Sequence, residues 1–336
     1  MKYLVIGLGS MGKRRIRNLL ALGERDVTGY DVVENRRKEA GEKYMIATIG
    51  DLSPSVLALF DAFIISTPPN LHAPYIRLAI EHDKHLFVEA TTSDEAYADV
   101  LRLPAGRVRV PSCTMRFFEP ISKIKELVDQ GAIGKILAYQ YHMGQYLPDW
   151  HPWEDYRQVY FAQKETGACR EMLPFELHWL TWIIGAPVSH VCGYTEHLSS
   201  LEMSADDCYL SSVRHANNVC GNLLIDVIAR VPFRTLRLLG TDSVLEWEWQ
   251  KHEIVIRTPD ASKTQTLSRN QGTSERGYIT VEDMYIGEMD AFLKAVRGEA
   301  SFPYSFQEDA RNLRALYAME KASRDGKYGD VHDPSL

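Results

Sequence analysis

The chain has 336 residues, 45% of them hydrophobic and 25% charged, with a formal net charge of −7 at pH 7. This length predicts two domains, and the acidic balance argues against a broad basic face for a nucleic-acid partner. No apolar run reaches the roughly 20 residues that cross a bilayer, and five scattered cysteines without a C-x-x-C pair indicate a reducing compartment. We therefore expect a cytoplasmic protein with no membrane partner.

The first third of the chain alternates strand and helix signals. The apolar strand "KYLVIGLG" precedes the helical pattern "RRIRNLLALG", and "DVTGYDV" indicates a second strand. Two more apolar runs, "AFIIST" and "HLFVEA", enclose the predicted helix "APYIRLAIEHD". Strands that are apolar throughout and alternate with helices predict a parallel sheet covered on both faces. Residues 1–117 are therefore predicted to form an α/β domain.

The pattern changes between Thr114 and Glu119. Beyond this boundary, segments such as "ILAYQYHMG", "TLRLLGT" and "HEIVIR" show mostly period-two alternation. Such alternation suits an antiparallel sheet with one buried face and one face free to meet a partner. Two helices, in "MYIGEMDAFLKAVRG" and "FQEDARNLRALYAMEKASRDG", close the chain. Residues 118–336 are therefore predicted to form a second α/β domain with a mostly antiparallel sheet, one face of which is free to meet a partner.

The segment "VIGLGSMGKRR" has G-x-G-x-x-G spacing at the end of the first strand. Its first glycine permits a tight turn, its second lets the backbone approach a pyrophosphate, and its third lets helix and strand pack closely. Asp31 ends the second strand 19 residues after Gly12, where a carboxylate reads a ribose 2′-hydroxyl and repels a 2′-phosphate. The pattern predicts a Rossmann domain that binds NAD in preference to NADP. The predicted cofactor-binding residues of this part are Gly7, Gly9, Ser10, Met11, Gly12 and Asp31.

Arg36 and Arg37 follow this acid and leave an alternative open. Arginines at this place accommodate the 2′-phosphate of NADP. They also suit the solvated face of a helix, which is the interpretation we favour.

Several segments in one order resemble the Gfo/Idh/MocA family of nicotinamide-dependent sugar and cyclitol oxidoreductases over nearly the whole chain. They are "GLGSMGKRRIRNL", "ISTPPNLHAPY", "EATTS", "MRFFEPISKIKELVDQGAIGKI" and the two closing helices. The resemblance implies an amino-terminal Rossmann domain and a carboxy-terminal α/β domain built on an open antiparallel sheet. It also implies a sugar-like small-molecule substrate and a homodimer or homotetramer formed through that sheet.

The resemblance places the "STPPNLH" loop beside the cofactor, near its nicotinamide. Thr67, Pro68, Asn70 and His72 are therefore expected to contact the cofactor or border its site, and Glu89 of "EATTS" is a further cofactor-binding candidate. For Asn70 and His72 an alternative stays open, in which they are a helix N-cap and a surface residue.

Two positions depart from the family pattern. The family usually has Glu-Lys-Pro where this chain has "EAT", and Ala90 cannot hold a proton or stabilise an alkoxide as the lysine does. In "GACREMLPFELHWLTWIIG", the family's Asp, His and second Asp fall on Glu171, Phe175 and His178. These positions share one helical face. We therefore predict His178 as the catalytic acid or base and Glu171 as the residue that orients it.

The segment "GQYLPDWHPWEDYRQVY" is dense in aromatic and charged residues. Aromatic faces and hydrogen-bonding side chains suit a sugar, and the stretch resembles family members that act on activated sugars. The alternative is a packing loop or a subunit contact. No metal site is expected, because His151 and Glu154 lack a third ligand at a suitable spacing. The predicted substrate-binding residues are Tyr146, Trp150, His151, Trp153, Tyr156 and Arg157.

These observations favour an NAD-dependent oxidoreductase acting on a sugar, a nucleotide sugar or a cyclitol, with an altered proton relay. Two alternatives stay open. One is a family member that lost dehydrogenase chemistry and serves as a ligand-sensing or partner-binding protein. The other retains NAD as a recycled helper in an elimination or hydrolysis without net redox change.

Overall fold

The computed structural model describes residues 1–104, 106–150, 152, 154–267, 282–334 and 336. The described residues fall into two compact units. The first unit contains residues 1–117 and 282–309, and the second contains residues 118–267, 310–334 and 336. The chain therefore leaves the first unit and returns to it before it ends.

The first unit is built on a six-stranded parallel sheet. Its strands are β1 (Tyr3–Ile6), β2 (Val27–Tyr30), β3 (Ala47–Ile49), β4 (Ala62–Ile65), β5 (His85–Val88) and β6 (Arg109–Pro111). They are arranged in the order β3, β2, β1, β4, β5, β6. This is the doubly wound order, in which a ligand binds outside the carboxyl ends of β1 and β4, where the strand order reverses.

Helices connect these strands and cover the sheet. They are α1 (Ser10–Ala21), α2 (Glu34–Tyr44), α3 (Pro54–Leu57), α4 (His72–Glu81) and α5 (Tyr97–Leu101). Strands β1, β4 and β5 are buried along their whole length, which explains why their sequences are apolar throughout.

A later helix, α8 (Asp283–Val296), completes the core of the first unit. Its Met289, Phe292 and Leu293 belong to the same buried cluster as Ile16 of α1 and Phe87 of β5. The predicted second domain, residues 118–336, had included this helix. Residues 282–309 lie instead in the first unit, because the apolar face of α8 is buried against α1 and the sheet.

The second unit is built on a nine-stranded sheet. Its strands are β7 (Ile136–Tyr146), β8 (Val188–Glu196), β9 (Cys208–His215), β10 (Cys220–Asp226), β11 (Ile228–Gly240), β12 (Val244–Glu248), β13 (Glu253–Arg257), β14 (Ser262–Thr266) and β15 (Gly329–Asp330). The order is β14, β13, β12, β11, β7, β10, β9, β8, β15. Among the described strands of this second sheet, only β7 and β10 pair in parallel, so the prediction of a mostly antiparallel sheet is confirmed.

Three helices accompany this sheet: α6 (Glu119–Asp129), α7 (Ala168–Ile184) and α9 (Phe306–Asp325), the last belonging to this unit from residue 310 onward. Helix α7 lies against β9 and β10. Along β9, buried and exposed residues alternate, which is the pattern of a sheet with one covered and one open face. In the described ranges, no helix has both the length and the apolar character needed to span a bilayer.

Candidate functional site

The glycine turn between β1 and α1 has the geometry that its spacing predicts. Gly7 has φ +93°, a left-handed conformation that favours glycine. A methyl group built on Gly12 would lie 1.7 Å from the carbonyl oxygen of Gly7, so only glycine fits there. A methyl group on Gly9, by contrast, would meet no atom within 4 Å. The second glycine therefore borders open space, as a backbone that receives a pyrophosphate must.

Helix α1 presents its amino terminus at this turn. Gly9 caps the helix without a side-chain hydrogen bond, and the first helical turn contains no acidic residue. The backbone N–H groups and the positive end of the helix dipole favour an anion here. These features fit the pyrophosphate of a dinucleotide.

Asp31 lies directly after β2 and is 4% exposed. Its Oδ2 accepts a hydrogen bond from the N–H of Leu8 and its Oδ1 accepts one from the N–H of Val33, both at 2.8 Å. The carboxylate is therefore held rigidly beside the glycine turn. This placement fits the role of a ribose-reading acid.

The two arginines after Asp31 differ in their surroundings. Arg37 donates hydrogen bonds to the carbonyl oxygens of Asp31, at 2.6 Å, and Val32, at 3.2 Å. Arg36 is half exposed, with Nη1 3.7 Å from Asp31 Oδ2. Arg37 thus supports the backbone that carries the acid, whereas Arg36 is the cation nearer the carboxylate.

The loop between β4 and α4 lies next to the glycine turn. A methyl group built on Gly7 would come within 2.7 Å of the carbonyl oxygen of Ser66. Thr67 and Pro68 are partly buried, while Asn70 is exposed. Leu71 is the N-cap of α4, so Asn70 does not cap that helix. His72 is 2% exposed, so its alternative as a surface residue is wrong.

Glu89 is buried and paired with Arg15, a residue that the sequence analysis did not single out. Arg15 Nε lies 2.6 Å from Glu89 Oε1, and Arg15 Nη2 lies 3.0 Å from Oε2. The same Nη2 donates to Glu288 Oε2 of α8 at 2.7 Å. Arg15 and Glu288 are fully buried, and the two carboxylates raise the arginine pKa against the opposing effect of burial.

Further donors complete this buried network. Glu288 accepts hydrogen bonds from the Ser112 hydroxyl at 2.9 Å, the Thr114 hydroxyl at 2.7 Å and the N–H of Cys113 at 2.5 Å. Each charged group is therefore paired and hydrogen-bonded, as a buried charge must be. The network connects α1 and α8 to Glu89, the residue directly before Ala90.

Helix α7 of the second unit carries the predicted acid–base residues. His178 is 2% exposed, and its ring contacts that of Phe175 at 5.4 Å in a T-shaped arrangement. Glu171, in the first turn, is partly buried. The catalytic roles of His178 and Glu171 stay predictions.

The same helix contains a buried acid that the sequence analysis missed. Glu176 is fully buried, and its Oε2 accepts hydrogen bonds from Tyr141 Oη and Trp179 Nε1, each at 2.7 Å. Arg234 Nε and Nη2 approach its Oε1 at 3.1 and 3.0 Å. The guanidinium also lies 4.8 Å from the ring centre of Trp249. The carboxylate of Glu176 and the guanidinium of Arg234 therefore neutralise one another.

The aromatic segment lies at the end of β7 and beyond. Of its six predicted substrate-binding residues, His151 and Trp153 lie outside the described residues. Arg230 lies 3.9 Å above the ring of Tyr146. Trp150 packs edge-on against Phe161 at 5.0 Å.

Two further members of this segment hold its exposed end. Arg157 forms ion pairs with Asp155 at 2.8 Å and Glu202 at 2.7 Å. Tyr156 Oη accepts a hydrogen bond from the N–H of Glu202 at 3.0 Å. These side chains thus contact one another and residues outside the segment. Among the residues that the structure describes, no group of three or more His, Cys, Asp or Glu side chains could hold a metal ion.

The fold and the geometry of the glycine turn define the class of protein. It has a Rossmann unit of the dinucleotide-binding type, followed in the chain by a unit with an open sheet. Residues 1–99 match the model of an oxidoreductase family with an NAD-binding Rossmann fold, and residues 121–246 match the model of the GFO/IDH/MocA C-terminal domain. The chain belongs to the GFO/IDH/MocA family of oxidoreductases. The predicted family and the predicted NAD cofactor class are thereby confirmed.

Two curated relatives have similar sequences over part of their length. An uncharacterized oxidoreductase of Streptococcus pneumoniae serotype 4 is 27% identical over 41% of this chain and 38% of its own. The uncharacterized oxidoreductase YrbE of Bacillus subtilis is 28% identical over 39% of this chain and 40% of its own. The matched part thus spans about two fifths of each relative.

Solved structures with the same fold cover nearly the whole chain. An oxidoreductase from Agrobacterium radiobacter, in complex with NAD⁺, L-tartaric acid and magnesium, has a TM-score of 0.86 at 15% identity, covering 98% of both chains. Levoglucosan dehydrogenase in complex with NADH has a TM-score of 0.84 at 18% identity, covering 98% of this chain and 99% of that chain. Myo-inositol 2-dehydrogenase from Lactobacillus plantarum has a TM-score of 0.80 at 16% identity, covering 99% of both. At such identities the likeness concerns the fold.

Proposed function

We propose that the protein is an NAD-dependent oxidoreductase acting on a hydroxyl-bearing carbon of a sugar, a nucleotide sugar or a cyclitol. The observation that carries the proposal is the rigid Asp31 carboxylate beside an open glycine turn. A buried carboxylate at this place accepts a hydrogen bond from the ribose 2′-hydroxyl of NAD and repels the 2′-phosphate of NADP. Family membership supports the oxidoreductase chemistry.

The sugar-like substrate class rests on two supports. The aromatic segment around Tyr146 and Trp150 offers flat apolar faces next to polar groups, as sugar sites do. Two structures of the same fold are a levoglucosan and a myo-inositol dehydrogenase by name, both of which act on polyhydroxylated rings. The cofactor, when bound, supplies a hydride acceptor or donor, and the protein supplies orientation and proton transfer.

The proton relay is the altered part of the proposed chemistry. Ala90 and Phe175 stand at the positions of the family's lysine and histidine and cannot exchange a proton. We propose His178 as the acid or base and Glu171 as its orienting group, because residues seven apart on α7 share one face.

A second candidate function follows from the same two positions. With apolar Ala90 and Phe175, the fold and cofactor cleft can serve a ligand-sensing or partner-binding protein without turnover. In a third candidate function, NAD is a bound cofactor that is regenerated in each cycle of an elimination or hydrolysis. Net NADH formation supports the first function, ligand binding without turnover the second, and turnover without net NADH the third.

The first experiment is native mass spectrometry of the purified protein, repeated with NADH and NADPH added separately. The proposal expects preferential retention of NADH, and co-purified additional mass identifies the substrate. Binding of neither nucleotide would contradict the proposal. The relay is then tested with His178→Ala, which should lower turnover of that substrate and leave NADH affinity unchanged, with unchanged turnover as the contrary result.

We further propose that copies of the chain associate through the open face of the second sheet. This face forms a shallow cavity of about 540 Å³, in which Leu210 of β9 lies opposite Leu224 of β10. Leu210 is 42% exposed. Leu210→Glu should dissociate a dimer or tetramer in light scattering, whereas Leu198→Glu, at an exposed leucine outside the strands, should not. The cytoplasmic location expected from the sequence stays a prediction.

A further inference from the structure

Strand β11 contains a bulge where it runs beside the end of β7. The ladder between the two strands pairs Ile228 with Tyr146. Its next pair is Phe233 with Gly144, so residues 229–232 lie opposite a single residue of β7. Such bulges bend a strand, re-aim its side chains and are frequent beside active sites. Because Tyr146 is the last residue of β7 and part of the aromatic segment, the bulge lies where that segment begins.

The bulge is held by the buried carboxylate of Asp226, which is 5% exposed. Its Oδ1 accepts hydrogen bonds from the N–H groups of Ile228, at 3.1 Å, and Ala229, at 2.9 Å. Its Oδ2 accepts one from His142 Nε2 at 2.7 Å. The ring of His142 meets that of Phe233 edge-on at 4.4 Å. Both ends of the bulge are therefore fixed in advance, which lowers the cost of ordering it around a ligand.

The bulge also packs directly on β7. A methyl group built on Gly144 would lie 2.8 Å from Cβ of Ala229 and 2.9 Å from the ring of Phe233, so a side chain at this position would displace the bulge. At the other end, Gln250 Nε2 donates a hydrogen bond to the carbonyl oxygen of Pro232. The backbone on each side of the bulge's centre is thus anchored.

Arg230 lies in this bulge and is its one charged residue. Its side chain is exposed, and its guanidinium carbon lies 3.9 Å from the ring centre of Tyr146, a cation–π distance. Among the residues that the structure describes, no carboxylate or carbonyl group pairs with this guanidinium. Its N–H donors are therefore available to a ligand that lies against the aromatic segment.

Arg157, the arginine that the sequence predicted to bind substrate, differs in this respect. Its Nε lies 2.8 Å from Asp155 Oδ1, and its Nη1 lies 2.7 Å from Glu202 Oε2. Two carboxylates already neutralise this side chain, and an anionic ligand would have to displace them. Of the two arginines, Arg230 is the one that can bind an anion without losing an ion pair.

We propose that Arg230 determines specificity by binding an oxyanion group of the substrate, while the ring of Tyr146 holds the guanidinium in place. A guanidinium binds a carboxylate or a phosphoryl group through two parallel hydrogen bonds. The inference rests on the proposed function and narrows it to sugars or cyclitols that carry a negative charge. The charge comes from a sugar acid or from a phosphorylated sugar, and the experiment distinguishes these sources.

The test is isothermal titration calorimetry of the full chain with three probes that share one ring: glucose, glucuronate and glucose 1-phosphate. At least one anionic probe should bind about tenfold more tightly than glucose, because a charge-assisted bidentate contact contributes at least about 1.4 kcal/mol. Tighter binding of glucuronate identifies a carboxylate, and tighter binding of glucose 1-phosphate identifies a phosphoryl group.

Three variants assign this preference. Arg230→Gln removes the charge and should reduce the preference to less than about twofold, whereas Arg230→Lys keeps the charge without the planar fork and should retain about threefold. Arg237→Gln is the matched control, at a half-exposed arginine of the same strand that pairs with Glu246 at 3.4 Å. It should retain the full preference.

The proposal is overturned if wild type binds glucose as tightly as both anions, or if it binds none of the three probes. It is also overturned if Arg230→Gln keeps the preference or if Arg237→Gln loses it equally. Light scattering of Arg230→Gln tests a contact between copies: a lower mass without any anion preference in wild type would assign Arg230 to that contact. NADH is titrated separately, and failure of wild type to bind NADH contradicts the proposed function rather than the role of Arg230.

Discussion

The glycine turn of the first unit and helix α7 of the second differ in what their sequences demand. In the turn, Gly7 and Gly12 are required by backbone geometry, and the family pattern is intact. In α7, Phe175 replaces the expected histidine, and the buried acid Glu176 is held by Arg234 and two aromatic donors. The glycine turn thus has the geometry that its spacing predicts, whereas the altered proton relay on α7 is a proposal that rests on side-chain identities alone.

The geometry of a glycine turn therefore carries no information about the acid–base residues on a helix of the other unit. The turn needs only short-range features: small residues and a helix start. The helix needs specific functional groups for catalysis. Its buried polar interactions, those of Glu176, hold the core of the second unit together. Four predictions test the glycine turn with its neighbouring acid and the buried acids of the two units.

The largest expected effect concerns the buried cluster of the second unit. Arg234→Met removes the guanidinium and leaves the Glu176 carboxylate uncompensated at full burial, so unfolding should become easier by about 3–5 kcal/mol. Arg237→Met, at an exposed ion pair with Glu246 on the opposite face of the same strand, should lower the free energy of unfolding by less than about 1 kcal/mol. Chemical denaturation measures both. Similar small effects would contradict a structural role for the cluster.

The second prediction uses a buried acid of the first unit that hydrogen-bonds to hydroxyls. Asp309 accepts hydrogen bonds from Tyr97 Oη and Tyr304 Oη, and burial raises its pKa to about 6. The folded state therefore holds the proton more tightly than the unfolded state, and this acid's contribution to stability is lost as pH rises from about 4 to 6.

Asp309→Asn removes that titration. Relative to wild type, the stability of the variant should increase between pH 4 and 6, by up to about 3 kcal/mol at full effect. The measurement is the difference in unfolding free energy at several pH values. A constant difference across this range would show that Asp309 titrates at its ordinary pKa.

The third prediction separates the glycines of the turn. Gly12→Ala places a methyl group in contact with the Gly7 carbonyl, so it should distort the turn, lower the melting temperature and weaken NADH binding by about 100-fold. Gly9→Ala has space in the folded protein, so it should leave the melting temperature unchanged and weaken NADH binding only. Unchanged NADH binding in Gly9→Ala would contradict the assignment of the pyrophosphate to this turn.

The smallest effect concerns cofactor choice. Asp31→Ser removes the carboxylate that favours NAD while retaining a hydroxyl acceptor, and Arg36 is then free to meet a 2′-phosphate. We expect NADH binding to weaken and NADPH binding to strengthen, each by about tenfold. Asp31→Ser/Arg36→Ala is the control, which should lose the gain for NADPH. An unchanged ratio of affinities in Asp31→Ser would contradict the assignment of this acid.

Part of the fold and of the site was predictable from local patterns. Apolar strands that alternate with helices predicted the parallel sheet, and period-two alternation predicted the antiparallel one. His72 shows where local patterns fail. Its burial and its hydrogen bond to Thr67 depend on how α4 packs, which no residue spacing reports.

By itself, the sequence determined the conformation of the glycine turn, the position of Asp31 at the end of the second strand and the family to which the chain belongs. These features depend on residues that are close together in the chain and on backbone conformations that few side chains allow. Only the tertiary structure decided that α8 belongs to the first unit and that Arg15 joins Glu89 and Glu288, which are 74 and 273 positions away along the chain. The physical reason is that a buried charge takes whichever opposite charge the packing brings near. That partner is defined by distance in space, and separation along the chain does not encode it.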